Sequence, residues 1–436
     1  MFSELVSAVE TGRFTKLSDD EAILLFGRAF STDLARLRNA PPAAECRSNQ
    51  PHPTPSKLIY STDYDEVNRA LVSLLTVKWL LADDYTSFTA CQHIPAIKLT
   101  RASFTQLRGL LLEAVPAPAD TLTLLASLII NDLGKDPTLS TLLPACSPAT
   151  NHDEIVYIAA ERNLLPTFNT LTSLYPHTRA PLLLGLKLGR TLNIAQFAQA
   201  ENVPVSLQAA TLCAGEPHAF NLKFMELLLD VAGAQAHVEC RGSQLIEPVF
   251  QNFFSAREAL QNLIHSRGTL RSNYDLLLSK RATLLKSQGF RQLSLEPADR
   301  ALLRLLAMAR IAEPKGAGVF ERAFTTLPAA TKDALVAGLS VDGTDDGIAV
   351  IPYYMPALFV AGLRNVDPKN GEEGQVRAVQ SLMRFLVRVY KGSKPVPGAK
   401  ECGAVERNVG FAKETVLGEG FKKDPAVLDG LKIKEE

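Results

Sequence analysis

The sequence predicts an all-α fold, in the form of a large multi-helix domain with few or no short strands. Windows rich in leucine and alanine recur along the chain, with apolar residues three and four positions apart, which is the spacing of one helix face. Short polar or proline-containing breaks separate these windows. Alternating β-branched residues, the mark of strands, are nearly absent, and only HVECR and GIAVIPYY read as short extended pieces. The pattern is therefore typical of a helical protein.

The first strong helix signal is LSDDEAILLFGRAF, which opens with an N-terminal capping box. Ser18 precedes Glu21 by three residues, the spacing at which each side chain satisfies the other's backbone N–H. Apolar residues follow at helical spacing, so a helix is predicted from about 19 to about 37. Five prolines then predict a linker or an extended loop over residues 40–57. The next stretch, DYDEVNRALVSLLTVKWLLADDY, is again helical in its spacing. Further helices are predicted at about 103–115, 120–133, 153–164, 167–174, 180–200, 206–214, 219–234, 248–267, 270–288, 296–312, 329–339 and 375–391.

These signals divide the chain into four parts. A helical segment is predicted at 1–39, a proline-rich linker at 40–57 and a main helical domain at 58–391. Residues 392–436 are rich in lysine, glutamate, glycine and proline. That composition predicts a tail that is either flexible or wrapped over the surface.

Composition limits the classes of function. Lys plus Arg and Asp plus Glu both number 46, so an affinity for nucleic acid must come from a local patch. Six scattered cysteines without C-x-x-C pairs favour a reducing compartment over a disulfide framework. Glu4 and Glu10 stand where a signal peptide needs an apolar core, and no long uncharged apolar run follows. We therefore expect a cytoplasmic protein with neither a membrane nor a DNA partner.

The stretch SLIINDLGKD carries the first candidate site, at Asn131, Asp132, Lys135 and Asp136. One interpretation is an ordinary helix end, with Gly134 in the left-handed position and a lysine that complements the helix dipole. The other is a polar pocket. The preceding LTLLASLII is apolar on all sides and predicts a buried helix, and two aspartates have the wrong sign for its C-terminal end. Both interpretations remain open.

Two further polar groups are candidates. Asn151, His152 and Asp153 directly precede a predicted helix, where they are either a cap or an acid–base pair. In GRTLNIAQFAQAENVP, amides at Asn193 and Gln196 are followed by Glu201. Amides on such a helix usually bond to a neighbouring helix, and they also suit binding of an amide or carboxylate.

A local excess of positive charge lies between residues 257 and 291. It predicts either a solvated helix surface or a footprint for phosphate groups such as those of RNA. The residues concerned are Arg257, Arg267, Arg271, Lys280, Arg281, Lys286 and Arg291.

Known catalytic motifs give little guidance about the function of this sequence. NDLGKD resembles the HDxGK box of the HD superfamily of metal-dependent phosphohydrolases, but Asn131 stands where that box has its metal-binding histidine. None of the seven histidines are paired at helical spacing, so no metal site is predicted. Nucleotide-binding glycine loops and the G-x-S-x-G elbow are also missing. An enzyme of this kind would need a substrate that is already activated, and no cofactor is expected.

Four stretches carry a broader resemblance: SLIINDLGKDP, NHDEIVYIAAE, GLKLGRTLNIAQFAQAENVP and IPYYMPALFVAGLRN. Together they resemble a group of fungal proteins, long described only as a domain of unknown function, that includes the arginine-containing cyclodipeptide synthases. The resemblance implies a tRNA-dependent enzyme. It would join an arginyl group and a second aminoacyl group, each from its tRNA, into a diketopiperazine.

The resemblance also implies a role for each candidate residue. His152, oriented by Asp153, is the candidate base, with Lys135 as a further catalytic group. Asp132, Asp136 or Glu201 would pair with the arginine guanidinium. The amides of Asn131, Asn193 and Gln196 would bind the substrate or a developing oxyanion, and the basic segment would contact tRNA phosphates. A degenerate HD-type hydrolase and a non-enzymatic helical scaffold remain the alternatives.

Overall fold

The structure is a computed structural model that describes residues 2–42, 53–143, 151–236, 242–393 and 402–433. Within these ranges the chain is predominantly helical, with two short strands, which confirms the predicted all-α class. The helices are α1 (Phe2–Glu10), α2 (Asp19–Ala29), α3 (Ser31–Leu37), α4 (Pro55–Tyr60), α5 (Asp65–Leu81), α6 (Tyr85–Phe88), α7 (Arg101–Ala114), α8 (Pro118–Ile130), α9 (Pro137–Thr141), α10 (His152–Glu161), α11 (Pro166–Leu174), α12 (Arg179–Thr191), α13 (Ile194–Ala198), α14 (Pro217–Gly233), α15 (Glu247–Ile264), α16 (Leu270–Ser287), α17 (Pro297–Met308), α18 (Pro314–Thr325), α19 (Ala329–Ser340), α20 (Met355–Arg364), α21 (Gly371–Gly392), α22 (Lys413–Leu417) and α23 (Glu419–Lys423).

The chain divides into two compact units, whereas the sequence predicts a single main domain over 58–391. Unit 1 comprises Met1–Leu192 and Leu212–Gln251, and unit 2 comprises Asn193–Thr211 and Asn252–Glu436. Each unit is built from two separate chain segments. The boundaries therefore fall at ordinary turns and within α15, where no change of composition marks them.

Unit 1 is organised around α5 and α14, which pack against each other and against α7 and α8. Helix α5 buries an apolar face that includes Val67, Leu71 and Leu75. Helix α14 carries three charged side chains, Lys223, Glu226 and Asp230, at spacings of three and four. This spacing places the three charged side chains along one face of the helix.

Unit 2 is organised around α21, which packs against α18, α19 and α20. Its two strands, β1 (Ile348–Ile351) and β2 (Gly403–Glu406), are parallel, with Ile348 opposite Gly403. Strand β1 lies in the predicted extended piece GIAVIPYY, whereas β2 lies in the segment predicted as a tail. Parallel pairing brings the C-terminal end of β2, at Glu406, beside the end of β1.

Several local predictions are corrected. The helix predicted over 19–37 is two helices, α2 and α3, which meet at Phe30. Helix α4 begins inside the predicted linker, because Pro55 at the first helical position is already set for helix and Thr54 caps it. Residues 43–52 of that linker lie outside the described residues, as does HVECR at 237–241.

The C-terminal segment 402–433 packs against α21. Arg384 forms an ion pair with Asp429, and the Arg388 guanidinium donates to the carbonyl oxygens of Leu428 and Leu431. Phe421 and Leu428 are fully buried. Part of the predicted tail therefore belongs to the core of unit 2.

A membrane-spanning helix needs about 20 predominantly apolar residues. In the described parts of the chain, no single helix is long and apolar enough to cross a membrane. One pair of segments, Arg101–Ala114 and Pro118–Lys135, meets the length and composition criteria only jointly, and it is bent by 108°.

Candidate functional site

The polar end of α8 is buried in unit 1. Asp132 is 4% exposed, and it is followed by a 3₁₀ turn over Leu133–Lys135. Gly134 does not adopt the left-handed conformation that a helix-ending glycine would need. A Cβ atom at Gly134 would instead lie 2.1 Å from the carbonyl oxygen of His152. The glycine is needed for close approach, and it brings the start of α10 against this turn.

Asp132 belongs to a cluster of five charged residues that we call the ion network. Its Oδ1 lies 2.9 Å from Lys135 Nζ, and its Oδ2 lies 3.5 Å from Arg69 Nε. Lys135 Nζ also contacts Glu66 Oε2 at 2.8 Å. Arg69 donates two hydrogen bonds to Asp230. The network joins α5, α14 and the turn after α8.

Two carboxyl groups of the ion network have shifted pKa values, in opposite directions. Burial alone would raise the pKa of Asp132, but the charges of Arg69 and Lys135 outweigh burial and hold that pKa well below its usual range. Burial and the nearby charge of Asp132 raise the pKa of Glu66. Both oxygens of Asp132 already face a cation, and a role for this carboxylate in binding a guanidinium stays a prediction.

The neighbouring candidate residues, Asp136 and Asn131, differ in how far the protein satisfies their hydrogen bonds. Asp136 is fully buried, caps α9 through the Thr138 N–H at 2.9 Å, and accepts a hydrogen bond from Arg36 at 3.3 Å. Asn131 is buried, and its Oδ1 has no hydrogen-bond partner among the described residues. Asp136 therefore has a structural role that accounts for its position, while Asn131 has an open acceptor.

The group at the start of α10 acts as a cap. Asn151 Oδ1 accepts the Glu154 N–H at 2.9 Å, as the capping interpretation requires. His152 Nε2 lies 3.7 Å from Asp153 Oδ1, which is too long for a hydrogen bond, and the imidazole is 43% exposed. The acid–base roles of His152 and Asp153 stay predictions.

A second buried charged group, which the sequence reasoning missed, lies on α14. Lys223 and Glu226 form an ion pair, and the Ser127 hydroxyl donates to Glu226. A Cβ atom at Gly189 would lie 2.7 Å from Lys223 Cε, so this glycine of α12 makes room for the lysine. The sequence does contain a signal for this ion pair, namely a lysine and a glutamate three residues apart within a largely apolar helix.

Unit 1 also has a cleft of about 400 Å³, near the starts of α8 and α14. His218 Nε2 lies 3.1 Å from Asp120 Oδ1 in its lining. His177 and Glu216 line the same cleft. None of these four residues were candidates from the sequence.

In unit 2, Glu201 lies in a tightly held turn. The preceding Ala200 has a left-handed φ of 52°, a conformation that is costly for a residue with a Cβ. The Tyr274 hydroxyl lies 2.9 Å from the carbonyl oxygens of Ala200 and Asn202. Fully buried Arg304 donates to the Asn202 carbonyl at 2.9 Å. Two buried side chains thus fix the backbone on both sides of Glu201.

The Glu201 carboxyl is 3% exposed, and its Oε1 has no hydrogen-bond partner in the described ranges. Burial raises the pKa of Glu201 to about 8. The backbone N–H of Tyr354 opposes this rise, the charge of Glu406 adds to it, and Arg310 opposes it. The group is therefore a buried acid that is largely protonated at neutral pH.

Other polar groups surround this carboxyl. Gln196 Nε2 donates to Glu406 Oε2 at 3.3 Å, while Asn193 caps α13 by accepting the Gln196 N–H at 3.0 Å. Tyr354 has a left-handed φ of 80°, and its ring centroid lies 4.5 Å from that of Tyr353. Strained backbone of this kind is concentrated at functional sites. We call Glu201, Gln196, Glu406, Tyr353 and Tyr354 the Glu201 site.

The sequence pointed to only part of the Glu201 site. Gln196 and Glu201 were candidates, but Glu406 and the two tyrosines were not. Glu406 lies in the segment predicted as a tail, and it reaches this site because β2 pairs with β1. The left-handed turn at Tyr354 has no glycine or asparagine to signal it.

The basic segment 257–291 is largely neutralised within the protein. Arg271 pairs with Asp275 and Asp342, and Arg281 is buried with its guanidinium on the Ile311 carbonyl. Ion pairs among the described residues also include Lys280–Glu258, Arg291–Asp299 and Arg291–Glu321. Arg257 donates to Gln261, and Arg267 and Lys286 are exposed. The segment therefore offers fewer open cations than its sequence suggests.

Across the described ranges, no group of three or more histidine, cysteine, aspartate or glutamate side chains is arranged to hold a metal ion.

The fold and the two charged clusters define an all-α protein of two compact units, with a paired ion network in one and a buried, incompletely partnered carboxyl in the other. The chain belongs to the family of unknown function DUF6829, whose model matches residues 23–428. No curated protein and no solved structure matches it.

Proposed function

We propose that the protein is a tRNA-dependent synthase. It condenses an arginyl group and a second aminoacyl group, each delivered by its tRNA, into an arginine-containing cyclic dipeptide. The observation that carries this proposal is the Glu201 carboxyl, which is buried and has an oxygen without a hydrogen-bond partner among the residues that the structure describes. A buried acceptor of this kind is costly unless a ligand completes it.

An arginine side chain suits the Glu201 site. A guanidinium presents planar, parallel N–H donors that match the two oxygens of a carboxylate. Glu406 adds a second negative charge nearby, and its hydrogen bond with Gln196 orients it. A bound cation would lower the pKa of Glu201 and ionise it, which converts a buried neutral acid into an ion pair.

The reaction requires no energy source beyond its substrates. The α-amine nitrogen of one aminoacyl group attacks the ester carbon of the other, an N–C bond forms, and the C–O bond to the tRNA ribose breaks. The amine loses a proton and the departing ribose hydroxyl gains one. A second attack of the same kind closes the ring and releases the other tRNA. Because both esters are already activated, the protein needs only to position them and move protons.

The acid–base roles of His152, Asp153 and Lys135, which belong to unit 1, stay predictions from the sequence. Lys135 is engaged with Asp132 and Glu66, so its role would be to hold charge rather than to exchange protons freely.

The proposed function is tested by measuring synthesis of the cyclic dipeptide. Bacteria expressing the wild-type protein should accumulate an arginine-containing diketopiperazine, identified by mass spectrometry with labelled arginine. Purified protein should release labelled arginine from arginyl-tRNA into that product. Glu201→Gln should abolish both. The matched control, Glu419→Gln, changes an exposed glutamate of unit 2 and should leave both intact.

Two outcomes would overturn the proposal. One is the absence of any new diketopiperazine together with arginyl-tRNA that is hydrolysed no faster than in buffer. The other is a Glu201→Gln protein that synthesises product at the wild-type rate.

A further inference from the structure

The cleft of unit 1 lies where three helices, α8, α12 and α14, begin. Its volume of about 400 Å³ is within the range of sites that bind small molecules. Thr123, Thr178 and Leu222 of its lining are buried, whereas His177 and Ala180 are exposed. The cleft therefore combines a buried lining with access from solvent.

Asp120 orients the His218 imidazole within this cleft. Its Oδ1 lies 3.1 Å from His218 Nε2, and its Oδ2 accepts the backbone N–H of Ala117 at 3.1 Å. Because an ionised carboxylate only accepts hydrogen bonds, this contact favours the tautomer with the hydrogen on Nε2. His218 Nδ1 is then a hydrogen-bond acceptor, and no described residue donates to it.

Three further polar side chains of the lining also offer acceptors. The Thr123 hydroxyl donates to the Ala119 carbonyl at 2.7 Å, and the Thr178 hydroxyl donates to the Tyr175 carbonyl at 2.8 Å. Each hydroxyl has thereby used its one hydrogen. The Glu216 carboxylate is half-buried and has no ion pair with any described residue. Neither lysine nor arginine lines the cleft, so its negative charge has no resident cation to balance it.

The helix starts at the cleft do not make it a site for anions. Pro118 and Pro217 occupy the first positions of α8 and α14, where they supply no N–H donor. Asp120 in the first turn of α8 and Glu216 at the N-cap of α14 already complement the positive ends of these helices. A bound anion would face both carboxylates, whereas a bound cation would be attracted by them.

We propose that this cleft binds a small primary amine in its protonated form. The ammonium group donates to the Glu216 carboxylate and to Nδ1 of His218, and the carbon chain packs on Pro181 and Leu222, which belong to the same lining. An ammonium group has three N–H donors and no acceptor, which matches a site built from acceptors. The inference goes beyond the proposed function, because no residue of the Glu201 site lines the cleft.

The test compares three ligands that share a four-carbon chain: butylamine, butanol and butyrate. Each is titrated into full-length protein at neutral pH, and binding is measured by ligand-observed NMR. Butylamine should bind more tightly than butanol, and butyrate should not bind. Glu216→Gln should weaken butylamine binding about tenfold, because it removes a charged hydrogen-bond partner. Ala180→Phe, which fills the cleft from an exposed position, should abolish binding without unfolding the protein. The matched control is Glu161→Gln, which changes an exposed glutamate at the end of α10 and should bind as the wild type does.

Three results would overturn this assignment. The first is equal binding of butylamine and butanol, or tighter binding of butyrate, since the ammonium charge would then not be recognised. The second is wild-type affinity for butylamine in folded Glu216→Gln and Ala180→Phe proteins, with folding checked by circular dichroism. The third is binding that is lost in Glu201→Gln and retained in Glu216→Gln, which would place the amine in the Glu201 site instead. None of these measurements depends on synthesis, so the assignment and the proposed function can fail separately.

Discussion

Asp132 in unit 1 and Glu201 in unit 2 are equally buried carboxyl groups with opposite electrostatic states. Asp132 is 4% exposed and contacts Arg69 and Lys135, which hold its pKa low. Glu201 is 3% exposed, one of its oxygens has no hydrogen-bond partner within the described part of the chain, and burial raises its pKa to about 8. The fraction buried therefore does not decide whether a carboxyl is charged. The charged and hydrogen-bonding groups around a buried carboxyl decide its ionisation state.

The difference separates two uses of a buried charge. In the ion network each carboxylate meets a cation from another element, so removing one member leaves an uncompensated charge in the interior. At the Glu201 site, the backbone N–H groups of Tyr354 and Met355 offset only part of the desolvation cost. Residues of the second kind are those whose replacement increases stability at the expense of function. The same amide substitution in the two places should therefore have opposite effects on stability.

The largest expected effect is the loss of stability in Asp132→Asn. Arg69 and Lys135 would keep their charges in a buried site with one carboxylate fewer, which costs about 3–5 kcal/mol. Urea denaturation followed by circular dichroism measures the free energy of unfolding. Glu258→Gln, which removes an exposed partner of Lys280, is the control and should change it by less than about 1 kcal/mol. A loss below that value in Asp132→Asn would show that the network is not closed.

Glu201→Gln should stabilise the protein, with an advantage that grows with pH. The folded pKa of about 8 lies above the ordinary 4.5 of glutamate. The folded state therefore holds a proton that the unfolded state releases between these values, and wild-type stability falls as pH rises through this window. Glutamine does not titrate. At pH 8 the variant should be more stable by about 2 kcal/mol or more. Melting curves at pH 5, 6.5 and 8 check this, and a constant difference across the three would contradict it.

Gly134→Ala should disturb the ion network from its backbone side. The added Cβ would lie 2.1 Å from the His152 carbonyl oxygen, so the turn after α8 must move, at a cost of about 1–3 kcal/mol. Gly109→Ala in α7 is the matched control, because nothing lies within 4 Å of its Cβ and alanine favours the helix interior. Thermal melting should show a loss in the first variant and no loss in the second. Equal melting temperatures would refute the packing role of Gly134.

The smallest effect concerns ligand binding. A guanidinium binds the ionised form of Glu201, and with a pKa of about 8 this form falls from most of the population at pH 9 to about one tenth at pH 7. The dissociation constant for arginine methyl ester should therefore rise by up to about tenfold over this interval, measured by calorimetry. Glu201→Gln should bind weakly at every pH. A wild-type affinity that is independent of pH would place the guanidinium elsewhere.

The helices of this protein were more predictable from its sequence than its candidate sites were. The capping box of Ser18 and Glu21 is formed as predicted, because capping depends on residues three apart. Strand β1 was similarly visible in its β-branched residues. The pattern at Asn131 to Asp136 left two interpretations open, an ordinary helix end and a polar pocket, and the structure buries Asp132.

The partners of these polar groups could not be predicted from the sequence. Arg69 and Asp230 are 161 positions apart in the chain, and Gln196 and Glu406 are 210 apart. No local spacing relates such residues, and the strand that carries Glu406 has a composition typical of a surface segment. Glu201 and Asp132 thus looked alike as candidates for a guanidinium.

The sequence by itself determined the helical class, most helix positions and the presence of carboxyl groups in apolar surroundings, because these depend on propensity, periodicity and caps that act over a few residues. Only the tertiary structure decided which carboxyl received cations and which did not. The ionisation of a buried group depends on charges within several ångströms in space, and these come from elements that are remote in the chain.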